Sequence, residues 1–533
     1  MRVRNKLILV ITAALFILVV AAALFIGTAL TGCGGGSTAK ELTVLAGSEL
    51  KDLEPLFDQI RRHTGISLHM SYSGTLDGVE RLMAGEEVDL AWFSHAKYLT
   101  LLEGTRGRVA AQEKIMLSPV VLGVKESKAR DWGWVDNPDL TWQDIADRAS
   151  SGQLHYAMTN PASSNSGFTA LMGVAAALSG SADALEVEDI DRVSEELKGF
   201  FKGQTLTSGS SGWLAESYVN EQDRLDGMIN YESVLLGLNK SGQLREKLYL
   251  VYPKEGIVTA DYPLMLINGD RRADYDKLVE YLRSPEFQKE LMELTLRRPV
   301  ISQVALSDEF PNQLLVELPF PNSREVIDHL IFAYLDEQRV PSHAFFVLDV
   351  SGSMRGEGLS DLKAAMINLT GKDTSLTGQF ARFRHRERIT VLVFNDQVRD
   401  ISSFEVGIDD QETMQSIRDY VEMLEAGGRT AIYSALRQAY DLAAQAQQQD
   451  AGRYYSIVLM SDGKKTEGIS EQEFLSYYRS LPEEAQRIKT FTILFGDADK
   501  EEMESIAEAT GGRTFDARHE SLSLIFKQIR GYQ

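Results

Sequence analysis

Cysteine is almost absent from this chain: Cys33 is the only one in 533 residues. No internal disulfide can form, so the fold has to rest on its hydrophobic cores and on any metal it binds. The Gly-x-x-x-x-Gly-Lys-Ser/Thr phosphate loop is missing, which excludes ATP hydrolysis by that machinery. His-Glu-x-x-His is missing too, and the eight histidines are scattered. Positive charge is in short supply. Lys and Arg number 55 against 77 Asp and Glu, a formal net charge of −22. Such a balance repels nucleic acid and leaves no basic footprint for it. These absences point away from an enzyme and away from a nucleic-acid binder. The remaining composition, 44% hydrophobic and 25% charged, is that of an ordinary globular protein, and the length calls for two or three domains.

One long apolar run is present, from Leu7 to about Leu30, preceded by Arg2, Arg4 and Lys6. Basic residues before such a run mark an export signal. The run is long enough to span a bilayer, so an uncleaved signal anchor is one reading. Leu30-Thr31-Gly32-Cys33 resembles a bacterial lipobox, which implies cleavage before Cys33 and lipid on its sulfur. Residues 1–33 are then the lipoprotein signal and anchor, and 34–40 a Gly/Ser tether. Either reading places the rest of the chain at the membrane on its extracytoplasmic side.

The most specific signal is Phe346-Val347-Leu348-Asp349-Val350-Ser351-Gly352-Ser353-Met354, an apolar strand running into an Asp-x-Ser-x-Ser loop. A strand buried in a parallel sheet opens at its C-terminal end onto the ligand crevice. One carboxylate and two hydroxyls there suit a hard cation such as Mg²⁺. Ala426-Gly427-Gly428-Arg429-Thr430 is a glycine turn that sets a hydroxyl before a helix, and Ser456 to Asp462 is a second apolar strand ending in a carboxylate. Taken singly, these residues can also cap turns and helices. Together the three segments resemble the metal-ion-dependent adhesion site (MIDAS) of von Willebrand factor type A (VWA) domains. The resemblance implies one Mg²⁺, or Mn²⁺ or Ca²⁺, held by Asp349, Ser351, Ser353, Thr430 and Asp462, with an open position for the carboxylate of a protein partner. In the commonest pattern Gly directly precedes the Thr; here Arg429 intervenes.

Around this site strands alternate with helices: a helical face at Leu359, Leu362, Met366 and Leu369, a strand at 388–394, helices near 409–424, 431–447 and 470–480, and a strand at 490–495. That order predicts a doubly wound, Rossmann-like α/β domain over 342–533. Asp497-Ala498-Asp499 imitates a calcium loop, but Glu502 stands where Gly is needed, so a helix cap is expected there.

Residues 41–300 form a second α/β unit. Strands near 41–46, 66–72 and 88–93 each deliver a serine, Ser48, Ser73 and Ser94, to the edge where ligands bind. Each also stands near a helix start, where free N–H groups favour an anion. The phrases Val44-Leu45-Ala46-Gly47-Ser48, Asp89 to Ser94 and Asp226 to Glu232 resemble type 2 periplasmic solute-binding proteins, the two-lobed receptors of ABC importers. The resemblance implies a cleft lined by Ser48, Ser73, Ser94, Ser163, Ser166 and Tyr231, taking a small anionic or polar solute. Residues 301–341 read as an ordered connector with a helix over 325–337. The expected protein is an anchored binder that grips a protein partner through its metal; an importer receptor with an accessory VWA domain is the alternative.

Overall fold

The computed structural model describes residues 40–102, 107–181, 183–311 and 315–533. The apolar run, Cys33 and the tether up to residue 39 lie outside the described residues. Among the described residues, no helix is long and apolar enough to cross a membrane.

The N-terminal unit is built from two sheets. In the first lobe, strands Ile66–Ser73, Lys40–Gly47, Leu90–Trp92, Pro263–Leu266 and Ala111–Lys114 lie side by side in that order. The first three are parallel, and Pro263–Leu266 runs antiparallel between its neighbours. In the second lobe, Met116–Lys125 pairs antiparallel with Gly227–Tyr231, which leads on to Tyr156–Thr159 and Gln204–Ser208. The chain crosses between lobes near residue 115 and again between Ala260 and Pro263. Ser48 opens not an α-helix but a 3-10 stretch, Ser48–Leu56, with Pro55 inside it. Proline has no N–H to donate, so the regular helix Phe57–Thr64 forms only beyond it.

The C-terminal domain is one six-stranded sheet. Its order is Val398–Glu405, Arg388–Phe394, Ser342–Asp349, Tyr454–Ser461, Lys489–Leu494 and Thr514–Asp516. All eight residues of Ser342–Asp349 are buried, as a strand covered on both faces requires. Phe345 and Val347 face the helix Ile432–Gln449 and join one core. Phe346 and Leu348 point the other way, where Phe346 stacks on Phe526 of the C-terminal helix Leu522–Arg530. Val398–Glu405 was not expected. It runs antiparallel at the edge, and its polar sequence conceals it. Asp499 caps the helix Lys500–Ala509 by accepting from the N–H groups of Glu501 and Glu502, as the sequence reading expected.

The connector is ordered. Its helix spans the expected residues, α-helical over Arg324–Ala333 and continuing as a wide π-helical stretch over Tyr334–Gln338. Tyr334 donates to Gln204 Oε1 of the second lobe (3.1 Å). Arg339 then enters the C-terminal domain and forms an ion pair with Glu387, which also binds Arg530 (2.6 Å). Glu387 is 1% exposed. Burial alone would push its carboxyl up, but Arg530 and Arg339 outweigh that and hold it at about 2. The C-terminal domain returns to the second lobe through Lys489, which pairs with Glu221, and through Tyr532, whose ring lies 5.0 Å from that of Trp213.

Because the folded carboxyl of Glu387 lies at about 2 and its ordinary value is 4.5, the cluster contributes fully above pH 4.5. That contribution is lost as pH falls from there toward 2. Replacing Glu387 with Gln leaves two buried guanidinium groups short of charge and is expected to destabilise the domain by about 3–5 kcal/mol. Urea denaturation of the wild type and Glu387→Gln at pH 7 and pH 3 checks both points: the gap between the two should narrow in acid.

Candidate functional site

Asp349 ends the central strand with its side chain fully buried. Its Oδ1 accepts from the Ser351 backbone N–H (2.7 Å) and its Oδ2 from the Ser461 hydroxyl (2.5 Å). Ser353 Oγ donates to Asp462 Oδ1 (2.7 Å) and lies 3.0 Å from Ser351 Oγ. Thr430 arrives from a third loop, its N–H bonded to Thr466 Oγ1 (3.0 Å). A Cβ placed on Gly463 would lie 3.2 Å from Ser353 Oγ and 3.8 Å from Thr430 Oγ1, so this glycine sits between the two hydroxyls. All five oxygen-bearing residues singled out in the sequence therefore meet at one edge of the sheet.

Burial pushes the Asp349 carboxyl up to about 6; the Ser461 and Ser351 bonds oppose this, and the nearby Asp462 adds to it. Asp462 is raised as well, again by burial and against the Ser353 bond. Among the described residues, neither carboxylate has a Lys, Arg or His ion-pair partner. Two buried carboxylates without a counter-charge, with neutral hydroxyls beside them, are a donor set that suits a hard divalent cation. Among the described residues no group of three or more His, Cys, Asp or Glu side chains is placed to hold a metal.

The turn before Thr430 absorbs the departure at Arg429. Gly428 takes the left-handed conformation (φ 88°), and a Cβ on it would lie 2.3 Å from Asp396 Oδ1. Its carbonyl accepts from Gly352 N (3.0 Å), and Gly427 N donates to Val350 O (2.8 Å), which ties this loop to the Asp-x-Ser-x-Ser loop. Arg429 points outward and pairs with Glu467 (2.6 Å).

In the N-terminal unit the lobes touch. Thr75 N donates to Asn165 Oδ1 across the cleft (2.5 Å). Ser48, Ser73 and Ser163 line a cavity of about 950 Å³ that the C-terminal domain closes with Arg513, Lys527 and Arg530. Ser94 and Tyr231 are buried deeper, and the Ser94 carbonyl accepts from Asp261 and Tyr262 N–H (both 3.1 Å). Ser166 turns instead into a hydroxyl cluster with Thr159 (2.9 Å) and Ser211 (2.7 Å) inside the second lobe.

Residues 42–293 match the family model of bacterial extracellular solute-binding proteins, and residues 345–528 match that of the von Willebrand factor type A domain. The chain joins a solute-binding domain to a VWA domain. Similar solved structures include the periplasmic binding protein AfuA from Actinobacillus pleuropneumoniae with exogenous fructose-6-phosphate bound. It is 15% identical, with TM-score 0.43, and the match covers 56% of this chain and 98% of that one. The sulfate-binding protein SubI from Mycobacterium tuberculosis H37Rv is 18% identical over 54% of this chain and 98% of its own, with TM-score 0.41. A ferric binding protein from Campylobacter jejuni is 14% identical over 54% and 95%, with TM-score 0.39. No curated protein matches the chain.

Sequence reasoning missed two supports of the VWA site and one feature of the solute-binding domain. Ser461, directly before Asp462, holds Asp349 from the neighbouring strand, and Thr466 holds the Thr430 backbone. In the cleft it passed over Glu49, one residue beyond Ser48, whose carboxylate reaches the second lobe. A charge directly after an apolar strand was the only available signal.

Gly428→Ala forces a side chain into a left-handed, occupied position and is expected to destabilise the VWA domain by at least about 1–2 kcal/mol. Arg429→Ala removes only an exposed pair and should change stability by less than about 1 kcal/mol. Thermal melts of the two variants side by side check the contrast.

Proposed function

We propose that this protein is an anchored, extracytoplasmic, non-enzymatic binder. Its VWA domain holds one divalent cation, Mg²⁺ or a substitute, and uses it to grip an acidic side chain of a protein partner. Its solute-binding domain takes a small polar ligand. The observation that carries the reading is the meeting of Asp349 and Asp462, uncompensated, with the hydroxyls of Ser351, Ser353 and Thr430. Asp349 and Asp462 supply the negative charge, and the three hydroxyls contribute neutral oxygens. Ser461 keeps Asp349 in place from behind. With only part of its charge neutralised by these residues, a bound cation would remain electrophilic toward a partner's carboxylate. Neutral ligands so supported favour capture of a partner over a closed structural metal. The family matched by residues 42–293 is extracellular, and Cys33 with its lipobox supports attachment through lipid.

Mg²⁺ should raise the melting temperature of the full chain, and EDTA should reverse the rise. Asp349→Ala and Thr430→Ala should lose that response while far-ultraviolet circular dichroism stays unchanged. If Mg²⁺ and Mn²⁺ leave the wild type unmoved, the metal reading fails. Cys33→Ser should release the protein from the membrane fraction; a variant that still sediments with membrane argues for an uncleaved anchor instead.

A further inference from the structure

The 3-10 turn after strand Lys40–Gly47 sets Glu49 between the two lobes of the solute-binding domain. Its Oε1 accepts from Asn165 Nδ2 (2.9 Å) and lies 3.4 Å from the Tyr231 hydroxyl, both on the opposite lobe. Arg297, 1% exposed, donates to the Glu49 backbone carbonyl (3.0 Å), while its charge is engaged by Asp52 (2.6 Å). Neutral donors of the second lobe therefore hold the carboxylate. Asn165 serves both sides at once, because its Oδ1 accepts from Thr75 N of the first lobe (2.5 Å). Gly47 provides the room: a Cβ there would lie 2.6 Å from both carboxylate oxygens. Nearby, the Thr75 hydroxyl is buried without a hydrogen-bond partner, while the Tyr262 hydroxyl is engaged by Arg297. Burial pushes the Glu49 carboxyl above its ordinary value, with the Asn165 bond and Arg297 opposing.

A buried hydroxyl left unpaired, that of Thr75, marks a place equipped for more than its present contacts, since such groups are normally satisfied. The donors that converge on Glu49 are those a bound oxyanion would use. We propose that Glu49 is a built-in occupant of the cleft, taking the seat of a ligand oxyanion, joining the lobes through its own side chain, and restricting entry to ligands that present hydrogen-bond donors or positive charge. The proposal rests on the reading of this cleft as the solute site. A second anion beside Glu49, screened from water, would meet like-charge repulsion, so oxyanions bind only when this side chain is removed.

The test uses the full chain with sulfate, phosphate and acetate as probes, in thermal shift and small-angle scattering. The melting temperature of the wild type should not respond to any of the three. Glu49→Ala should gain a rise of a few °C with sulfate or phosphate, open its lobes without them and close again when they are added. Glu49→Gln keeps an oxygen for Asn165 and should stay closed. Should Glu49→Ala fail to fold, Asn165→Asp sets a second carboxylate against Glu49 and should open the lobes in scattering. A wild type stabilised by an oxyanion as strongly as Glu49→Ala overturns the proposal and leaves the solute-cleft reading standing. Folded Glu49→Ala and Asn165→Asp with wild-type scattering overturn it as well. If neither the wild type nor Glu49→Ala responds to oxyanions, amines or polyols, both readings fall.

Discussion

Glu387 is the point at which the connector, the VWA domain and its C-terminal helix are fastened together. Its carboxylate receives Arg339 from one direction and Arg530 from another, and the Arg384 N–H donates to it at 2.9 Å. Three charges away from water are tolerable only when every donor finds an acceptor. Here Arg530 Nε also donates to the Ala381 carbonyl (3.0 Å), and Arg339 Nη1 to that of Gln533 (2.8 Å). Those bonds fix the direction in which the helix Leu522–Arg530 ends. They thereby set Tyr532 on Trp213 and Arg530 at the cavity beside Ser163. This ion cluster acts with the Lys489–Glu221 pair and the Tyr532–Trp213 contact in seating one domain on the other.

Both candidate sites lie at the carboxyl edges of sheets, but they treat charge in opposite ways. The VWA loop gathers two carboxylates and gives them no cation from the chain. The cleft takes one carboxylate and surrounds it with neutral donors. The first arrangement is left electrostatically incomplete by the chain itself. The second holds its carboxylate through Asn165 and Tyr231, and so bridges the two lobes.

The oxygen-lined loop was legible because Asp349 and Asp462 each end an apolar strand and Thr430 follows a glycine turn. Strand ends alone pointed to the two carboxylates; it was the resemblance to VWA domains that joined Thr430 to them. Ser461 and Thr466 could not be placed in this way, since their roles depend on which strand neighbours which. Val398–Glu405 escaped because an edge strand exposed to water needs no apolar alternation. The connector helix was found over its full span, but its change from α to π at Tyr334 was not, because a π stretch keeps helical periodicity while changing its hydrogen bonds. Of the cleft serines, Ser48, Ser73 and Ser163 reach the cavity, whereas Ser166 is claimed by Thr159 and Ser211. Local sequence says where a strand ends, not which hydroxyls a neighbouring helix will satisfy.

The strand Ser342–Asp349 has the connector at one end and the oxygen-lined loop at the other. Seven residue pairs flank it on each side, all in parallel register. A pull applied between the loop and the connector would therefore run lengthwise along this strand. Its hydrogen bonds would be loaded together in shear rather than opened one after another, which is the geometry in which a sheet resists force best.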